Sequence, residues 1–152
     1  MQFLNNYSNR ELNIWAELIL DILVSFYFFP KIFPLIIDGQ LYSDALVGII
    51  ATSIIISIFY SVFVFGAINT LTKREEKDER DYIYELKSYR VSNIISQVSI
   101  YLLISLIVFN PINQVRLNEF TAPMIAMLLL IITLLSSTGK SLTQLFNYRK
   151  NI

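Results

Sequence analysis

Residues 45–72 read ALVGIIATSIIISIFYSVFVFGAINTLT, and none of these 28 residues carries a formal charge. A transmembrane helix needs about 20 consecutive apolar residues to cross the hydrocarbon core of a bilayer. Two further uncharged runs follow, one of 25 residues at 91–115 and one of 20 residues at 120–139. The sequence therefore predicts three helices that cross a membrane in this part of the chain.

A fourth apolar segment precedes them at residues 14–37. Charged and proline residues interrupt it: Glu17, Asp21, Pro30, Lys31 and Pro34. Because each proline removes a backbone donor, we expect this helix to kink or unwind near its far end. A secretory signal peptide is the competing interpretation, but the segment is too long, carries two carboxylates and lacks an Ala-x-Ala-like cleavage site. We therefore interpret it as a further span.

The predicted fold class is all-α, a polytopic membrane protein whose four transmembrane helices form an up-down bundle. The spans of this single domain, residues 1–152, are expected near 14–37, 45–71, 91–110 and 121–142. Cytoplasmic loops of membrane proteins are enriched in Lys and Arg, and ten of the 12 such residues fall on one side of this arrangement. Only Lys31 and Arg116 fall on the other side. The N- and C-termini and the connection between the second and third spans are therefore predicted to be cytoplasmic.

The composition suits a protein that lies in lipid. Hydrophobic residues make up 55% of the 152 residues and charged residues 16%, with a mean hydropathy of +0.55, whereas soluble domains carry about 25% charged residues. The formal net charge is zero, so direct nucleic-acid binding is not expected. Without Cys or His, the usual zinc sites, haem ligation by these residues, and Ser-His-Asp or Cys-His catalysis are excluded. We predict no catalytic, cofactor-binding or metal-binding residues.

Small and hydroxylated residues recur at helical spacing inside the predicted spans. The rows are Ser53, Ser57 and Ser61 in the second span, Ser92, Ser96 and Ser99 beside Asn93 and Gln97 in the third, and Ser136, Ser137, Thr138 and Gly139 in the fourth. Such residues let helices approach closely, and their hydroxyls bond to a neighbouring helix or back to their own. We interpret the rows as packing surfaces, with a polar path for an ion or small solute as the alternative.

The first span carries two carboxylates within the membrane. Glu17 and Asp21 are four residues apart, so a helix places both on one face. An unpaired charge at the depth of Asp21 costs on the order of 3 kcal/mol, and the candidate partner is Lys140, which enters the fourth span at a similar depth. Antiparallel packing of the first and fourth spans would bring the three together. They would form either a structural ion pair or a proton- or cation-binding site.

Half of the 24 charges lie in residues 73–90, KREEKDERDYIYELKSYR, a segment that we name the elbow. No Gly or Pro occurs from 72 to 109, so the elbow can continue as a helix into the third span, with Asp78 as its N-cap. A stripe at helical spacing, which we expect to face the other helices, consists of Tyr82, Leu86, Tyr89, Asn93 and Ser96. The elbow is either a solvated connection or a docking site for a cytoplasmic partner. A divalent-cation site is disfavoured because the acids lack calcium-loop spacing.

Several motifs resemble an uncharacterised bacterial family of small inner-membrane proteins with four predicted helices and a central D-E-R-D motif. The matching runs are Asp78-Glu79-Arg80-Asp81, Glu85-Leu86-Lys87-Ser88-Tyr89-Arg90, and the opening Asn9-Arg10-Glu11 with Trp15, Leu18 and Tyr27-Phe28. The resemblance implies a multi-pass protein of the bacterial cytoplasmic (inner) membrane, with no established activity. Some members are encoded beside small helix-turn-helix regulators, which implies a regulatory partnership. The elbow residues that would carry it are Asp78, Glu79, Arg80, Asp81, Glu85, Lys87 and Arg90.

Three classes of function follow from these observations. The first is a non-enzymatic integral membrane protein that binds a cytoplasmic regulatory protein through the elbow. The second is a small oligomeric proton or cation transporter or channel that uses Glu17 and Asp21. The third, an intramembrane enzyme, ranks lowest because the chain has no Ser/His pair, metal set or Gly-rich phosphate loop. The expected partners are the lipid bilayer, a cytoplasmic regulatory protein and, as an alternative, further copies of the chain.

Overall fold

A computed structural model describes residues 9–40, 44–71, 78–109 and 121–150. Every regular element in this part of the chain is helical, and four helices are long and apolar enough to cross a membrane. We number them in chain order as α1 (Asn9–Ile37), α2 (Asp44–Leu71), α3 (Glu79–Phe109) and α4 (Ala122–Lys150). Within α2, one π-helical turn at Ser61–Phe65 separates two α-helical parts, Asp44–Tyr60 and Gly66–Leu71. Elbow residues 73–77 and Arg116, for which the sequence made predictions, lie outside the described residues.

The helices extend past the predicted spans at their charged ends. α1 begins five residues before residue 14, α3 includes the elbow from Glu79 onwards, and α4 continues past residue 142 to Lys150. An uncharged run marks only the part of a helix that lies in hydrocarbon, because charged side chains are tolerated where a helix leaves it. The uncharged runs therefore underestimate helix length in the sequence.

A reciprocal capping box begins α3. The backbone N–H of Asp81 donates to Asp78 Oδ1 at 2.9 Å, and the backbone N–H of Asp78 donates to Asp81 Oδ2 at 3.1 Å. These bonds satisfy donors that the first turn of a helix leaves without an intrahelical partner. The N-cap predicted at Asp78 is thereby confirmed.

Of the two alternatives expected at the prolines of α1, unwinding was wrong, and a kink stays a prediction. Pro30 and Pro34 both lie inside a continuous helix that extends to Ile37. Each proline removes a single N–H donor, and the remaining backbone bonds hold the last turns together. The helix is terminated just past Ile37 by Gly39, whose φ of +66° is left-handed. The Gln40 N–H then donates to the Leu35 carbonyl at 2.9 Å, as in a Schellman cap.

This cap gives a stability prediction. Gly39→Ala should lower the free energy of unfolding by about 1 kcal/mol, because a Cβ is unfavourable at left-handed φ. Gly48 provides the matched control, since it lies inside α2 and a Cβ added there meets no atom within 4 Å. We expect Gly48→Ala to be neutral or to stabilise the protein by about 0.5 kcal/mol. Unfolding in mixed detergent micelles, followed by circular dichroism, measures both, and an equal response of the two variants would contradict the assignment.

Helix α4 lies at the centre of the arrangement, because it contacts each of the other three described helices. α1 also packs against α2, whereas α3 packs against α4 alone along its membrane part. One core cluster consists of Phe28, Ile32, Leu46, Ile49 and Met127. A second consists of Ile14, Leu18 and Leu145. Late residues of α1 thus pack near early residues of α4, and early residues of α1 near late residues of α4, so the two helices are antiparallel.

Serine hydroxyls join α3 to α4. The Ser136 hydroxyl lies 2.6 Å from the Ser92 hydroxyl, accepts a hydrogen bond from Ser96 at 2.8 Å and donates to the Ser92 carbonyl at 3.0 Å. One turn further along, Gly139 lies so close to Ile95 that an added Cβ would be 2.5 Å from the Ile95 Cδ1 atom. The interpretation of these rows as a packing surface with hydrogen bonds across the helices is confirmed at this interface.

The face of α3 that meets α4 is not the stripe expected from the sequence. Tyr82, Leu86 and Tyr89 are 59%, 72% and 51% exposed. The stripe members that contact α4 are Ser96, through its hydroxyl, and Tyr89, whose ring lies 5.1 Å from the Lys140 ammonium. The buried positions are instead Ser88 and Leu103, in line with the serine cluster. Small residues allow close helix contact in a membrane, whereas large apolar side chains are equally compatible with lipid. Hydrophobic periodicity therefore missed the buried positions of this interface.

Candidate functional site

A charged cluster lies between α1 and α4, and we name Glu17, Asp21 and Lys140 the Lys140 cluster. The Lys140 ammonium donates to Glu17 Oε2 at 2.9 Å and to Oε1 at 3.1 Å. It also lies 5.1 Å from the centre of the Tyr89 ring, which comes from α3. The Lys140 side chain is 20% exposed and that of Glu17 31% exposed. One ammonium group thus connects three helices at their charged ends.

Asp21 occupies the more deeply buried position of the cluster. The residue is only 5% exposed. Its Oδ2 atom accepts a hydrogen bond from the Thr138 hydroxyl at 3.4 Å, and the Ser137 side chain is its second hydrogen-bond partner. The sequence suggested Lys140 as the partner of Asp21, but in the structure the ammonium bonds to Glu17, one turn away. Hydroxyl groups of α4 take its place beside Asp21.

The hydroxyl groups that lie beside Asp21 and Glu17 were not identified as site residues from the sequence. Three hydroxyl residues lie next to Lys140 in the sequence of α4: Ser137, Thr138 and Ser141. The first two were interpreted as packing residues, and Ser141 was given no role. Ser141 is completely buried, and its hydroxyl lies 3.5 Å from Glu17 Oε2. The signal that could have identified them is their position within three residues of Lys140, the first basic residue along α4.

A second cluster, Arg10, Asp81 and Tyr148, joins the start of α1, the start of α3 and the end of α4. We name it the Asp81 cluster. Arg10 forms an ion pair with Asp81, and the Tyr148 hydroxyl donates to Asp81 Oδ1 at 2.5 Å. The ring of Tyr84 packs edge-on against that of Tyr148, with ring centres 5.3 Å apart. These residues are far apart in the chain, so no local spacing could have indicated their contact.

The Asp81 cluster changes the interpretation of the elbow motif. Asp81 is held inside the protein, with its side chain only 17% exposed, and Asp78 serves as the helix cap. The other motif residues do not share this environment. Glu79, Arg80, Lys87 and Arg90 are exposed, whereas Glu85 is half-buried. The D-E-R-D run therefore contains two structural aspartates and two residues that face outwards.

A polar cavity of about 160 Å³ lies between the two clusters. Its lining includes Arg10, Asn13, Glu17, Asp81, Glu85, Tyr89, Lys140, Gln144 and Tyr148. A polar cavity of this size is large enough for several water molecules. Both cationic side chains of the lining are paired with carboxylates. In the described part of the chain, no three Asp, Glu, His or Cys residues are grouped so that they could hold a metal ion.

The serine row of α2 faces a separate groove of about 410 Å³ that is shared with α1 and α4. The Ser53 hydroxyl donates to the Ile49 carbonyl and the Ser57 hydroxyl to the Ser53 carbonyl, each at 2.9 Å. These hydroxyls therefore bond back to their own helix, and apolar side chains form most of the remaining lining. The ion pairs lie elsewhere, in the first half of α1, at the start of α3 and in the second half of α4.

The fold and these clusters indicate the class of protein. Four helices long and apolar enough to span a membrane indicate a multi-pass membrane protein, and paired charges join three of its helices at one end. No protein-family model, curated protein or solved structure matches the chain. The function therefore has to be inferred from the contacts and exposed surfaces of the chain itself.

Proposed function

We propose that this chain is a non-enzymatic integral protein of the bacterial inner membrane that binds a cytoplasmic regulatory protein through its elbow. The observation that carries the proposal is an exposed surface on the first turns of α3. Arg80, Ile83 and Lys87 are all exposed and recur at i, i+3 and i+7, so they share one helix face. We name this surface the basic face.

The length of α3 supports a position of the basic face outside the hydrocarbon. Its 31 residues extend over about 46 Å, whereas the hydrocarbon core is about 30 Å thick. The uncharged part begins at residue 91, so the turns from Glu79 to Arg90 extend into the aqueous phase. The basic face then presents two cations around an apolar side chain, which fits an acidic, partly apolar protein surface.

The distribution of charge supports an up-down topology with both termini and the elbow in the cytoplasm. Ten Lys and Arg residues lie on the elbow side and two on the other, as the positive-inside rule requires for cytoplasmic loops. The contact of Arg10 and Tyr148 with Asp81 supports the same arrangement, because it joins the ends of α1 and α4 to the start of α3. The elbow and both chain ends would then face the same compartment.

The proposal predicts the loss of a partner when the basic face is neutralised. Pull-down of the full chain from native membranes should recover a soluble cytoplasmic protein, and Arg80→Ala/Lys87→Ala should reduce its recovery at least about tenfold, as is typical of interface charges. Tyr82→Ala is the matched control, because Tyr82 is 59% exposed on the same turns but lies two, one and five residues from Arg80, Ile83 and Lys87, spacings that place it on another face. Its recovery should equal that of the wild type.

Two results would contradict this function. One is recovery of the partner undiminished by Arg80→Ala/Lys87→Ala, and the other is the absence of any partner at native expression. Asp81 is unsuitable for this test because it holds Arg10 and Tyr148, so that its replacement would disturb the helix ends as well. Membrane insertion and yield of each variant should be compared first.

A second candidate function is a small oligomeric proton or cation transporter or channel that uses Glu17 and Asp21. The observation that favours it is the polar cavity of about 160 Å³, which reaches Glu17 from the charged ends of the helices. Asp21 lies one helical turn beyond it among hydroxyl groups. Reconstituted vesicles would then show a proton or cation flux that Asp21→Asn abolishes, and a flux unaffected by that change would contradict this candidate.

A further inference from the structure

Two amide side chains face outwards on the membrane part of α3. Asn93 and Gln97 are exposed and four residues apart, so they lie on the same face of the helix. Among the hydrogen bonds of the described residues, none comes from either side-chain amide. Their neighbours Ser92 and Ser96, by contrast, bond to Ser136 of α4.

The depth of Gln97 makes contact with lipid unfavourable. It lies seven residues beyond Arg90, which corresponds to about 10 Å along the helix axis. A long Lys or Arg side chain can extend back to the headgroups, but the short glutamine side chain cannot cover that distance. Hydrocarbon offers no hydrogen-bond partner, so an amide here is stabilised by a polar group from another helix.

The same face continues along α3. Ile104 is 50% exposed and lies seven residues after Gln97, so two helical turns bring it back to the same face. The opposite side of α3 packs on α4, and no other described helix lies along the membrane part of α3. We name the face formed by Asn93, Gln97 and Ile104 the amide face. It is uncovered by the described residues of the chain.

We infer that the amide face is an interface with a second copy of this chain. An amide group has both donors and an acceptor, so the same residue on a second copy is a complementary partner. Copies of a multi-pass protein insert into a membrane in the same orientation. A two-fold axis along the membrane normal therefore brings α3 beside α3 at equal depth, and each amide meets its own counterpart.

Disulfide cross-linking tests this dimer directly, because the chain has no cysteine of its own. Ile104→Cys, on the amide face, should give a covalent dimer when native membranes are oxidised. Leu102→Cys is the matched control: Leu102 is 62% exposed at nearly the same depth, but it lies five residues from Gln97 and faces elsewhere. Equal cross-linking of the two variants, or none at Ile104→Cys, would overturn the inference.

The contribution of the amides is tested in the same background. Asn93→Leu/Gln97→Leu should weaken association on the order of tenfold, as judged from the modest strength of interhelical hydrogen bonds in membranes. The cross-linked fraction of Ile104→Cys should fall accordingly when the protein is diluted with lipid. An unchanged fraction would show that the two amides do not hold the copies together and would contradict their role in the interface. The cross-linking result does not depend on whether the elbow binds a cytoplasmic partner, because none of these variants changes a residue of the basic face.

Discussion

Replacement of Lys140 with methionine should destabilise the protein by about 2 kcal/mol. The change leaves the Glu17 carboxylate without the ammonium that binds both of its oxygens at 2.9 and 3.1 Å. Breaking a fully buried ion pair costs about 3–5 kcal/mol, and the partial exposure of these side chains, 20% and 31%, lowers that cost. The free energy of unfolding in mixed micelles is the appropriate measurement.

A double-mutant cycle distinguishes the two carboxylates. Lys140→Met and Glu17→Gln should be strongly non-additive, because the double variant removes both charges together and avoids an unpaired carboxylate. Lys140→Met and Asp21→Asn should be closer to additive, because the hydrogen-bond partners of Asp21 are the hydroxyls of Thr138 and Ser137. A larger coupling energy for Asp21 than for Glu17 would contradict the assigned pairing.

Replacement of Ser136 with leucine should be the most damaging change at the α3–α4 interface, at about 3 kcal/mol. The larger side chain overpacks a position that is only 7% exposed, which typically costs about 1–3 kcal/mol. It also removes the hydrogen bonds to Ser92 and Ser96, each worth about 0.6 kcal/mol or more in a membrane. Unfolding in mixed micelles measures this loss as well.

Two further variants control this prediction. Thr133→Leu, on the exposed side of the same helix, should change stability by less than about 0.5 kcal/mol, since its hydroxyl donates only to the Leu130 carbonyl of its own helix. Ser136→Ala removes the hydroxyl without adding volume and should cost about 1 kcal/mol. If Ser136→Leu were as stable as Thr133→Leu, the close α3–α4 contact would be wrong.

Lys140 and Ser136 lie four residues apart on α4, but their replacement should disturb different neighbouring helices. Lys140 bonds to α1 and contacts a ring of α3, whereas Ser136 bonds only to α3. Loss of Lys140 should therefore loosen the charged ends of three helices. Loss of Ser136 should separate α3 from α4, and it should also lower dimer cross-linking at Ile104→Cys, because α3 would no longer be held in position.

Local chemistry made part of the fold predictable from the sequence. Three uncharged runs and one interrupted apolar segment indicated four helices of membrane-spanning length. Asp78 was predicted as the cap of α3 because a carboxylate before a helical run satisfies its first donors. α1 does not unwind at its prolines, because the neighbouring backbone bonds that remain hold the helix together. The stripe through Tyr82 and Leu86 misled the prediction, since lipid accepts the same side chains as a protein core does.

The sequence by itself determined that this protein has four long apolar helices and that its charges concentrate in the elbow, because composition and uncharged run length are properties of the chain alone. Only the tertiary structure decided which groups meet: Lys140 with Glu17, hydroxyls with Asp21, and Arg10 and Tyr148 with Asp81. The physical reason is that the rotation of each helix about its own axis, and the axial offset between packed helices, decide which ionic or hydrogen-bonding groups meet. Neither quantity is encoded in spacing along one helix.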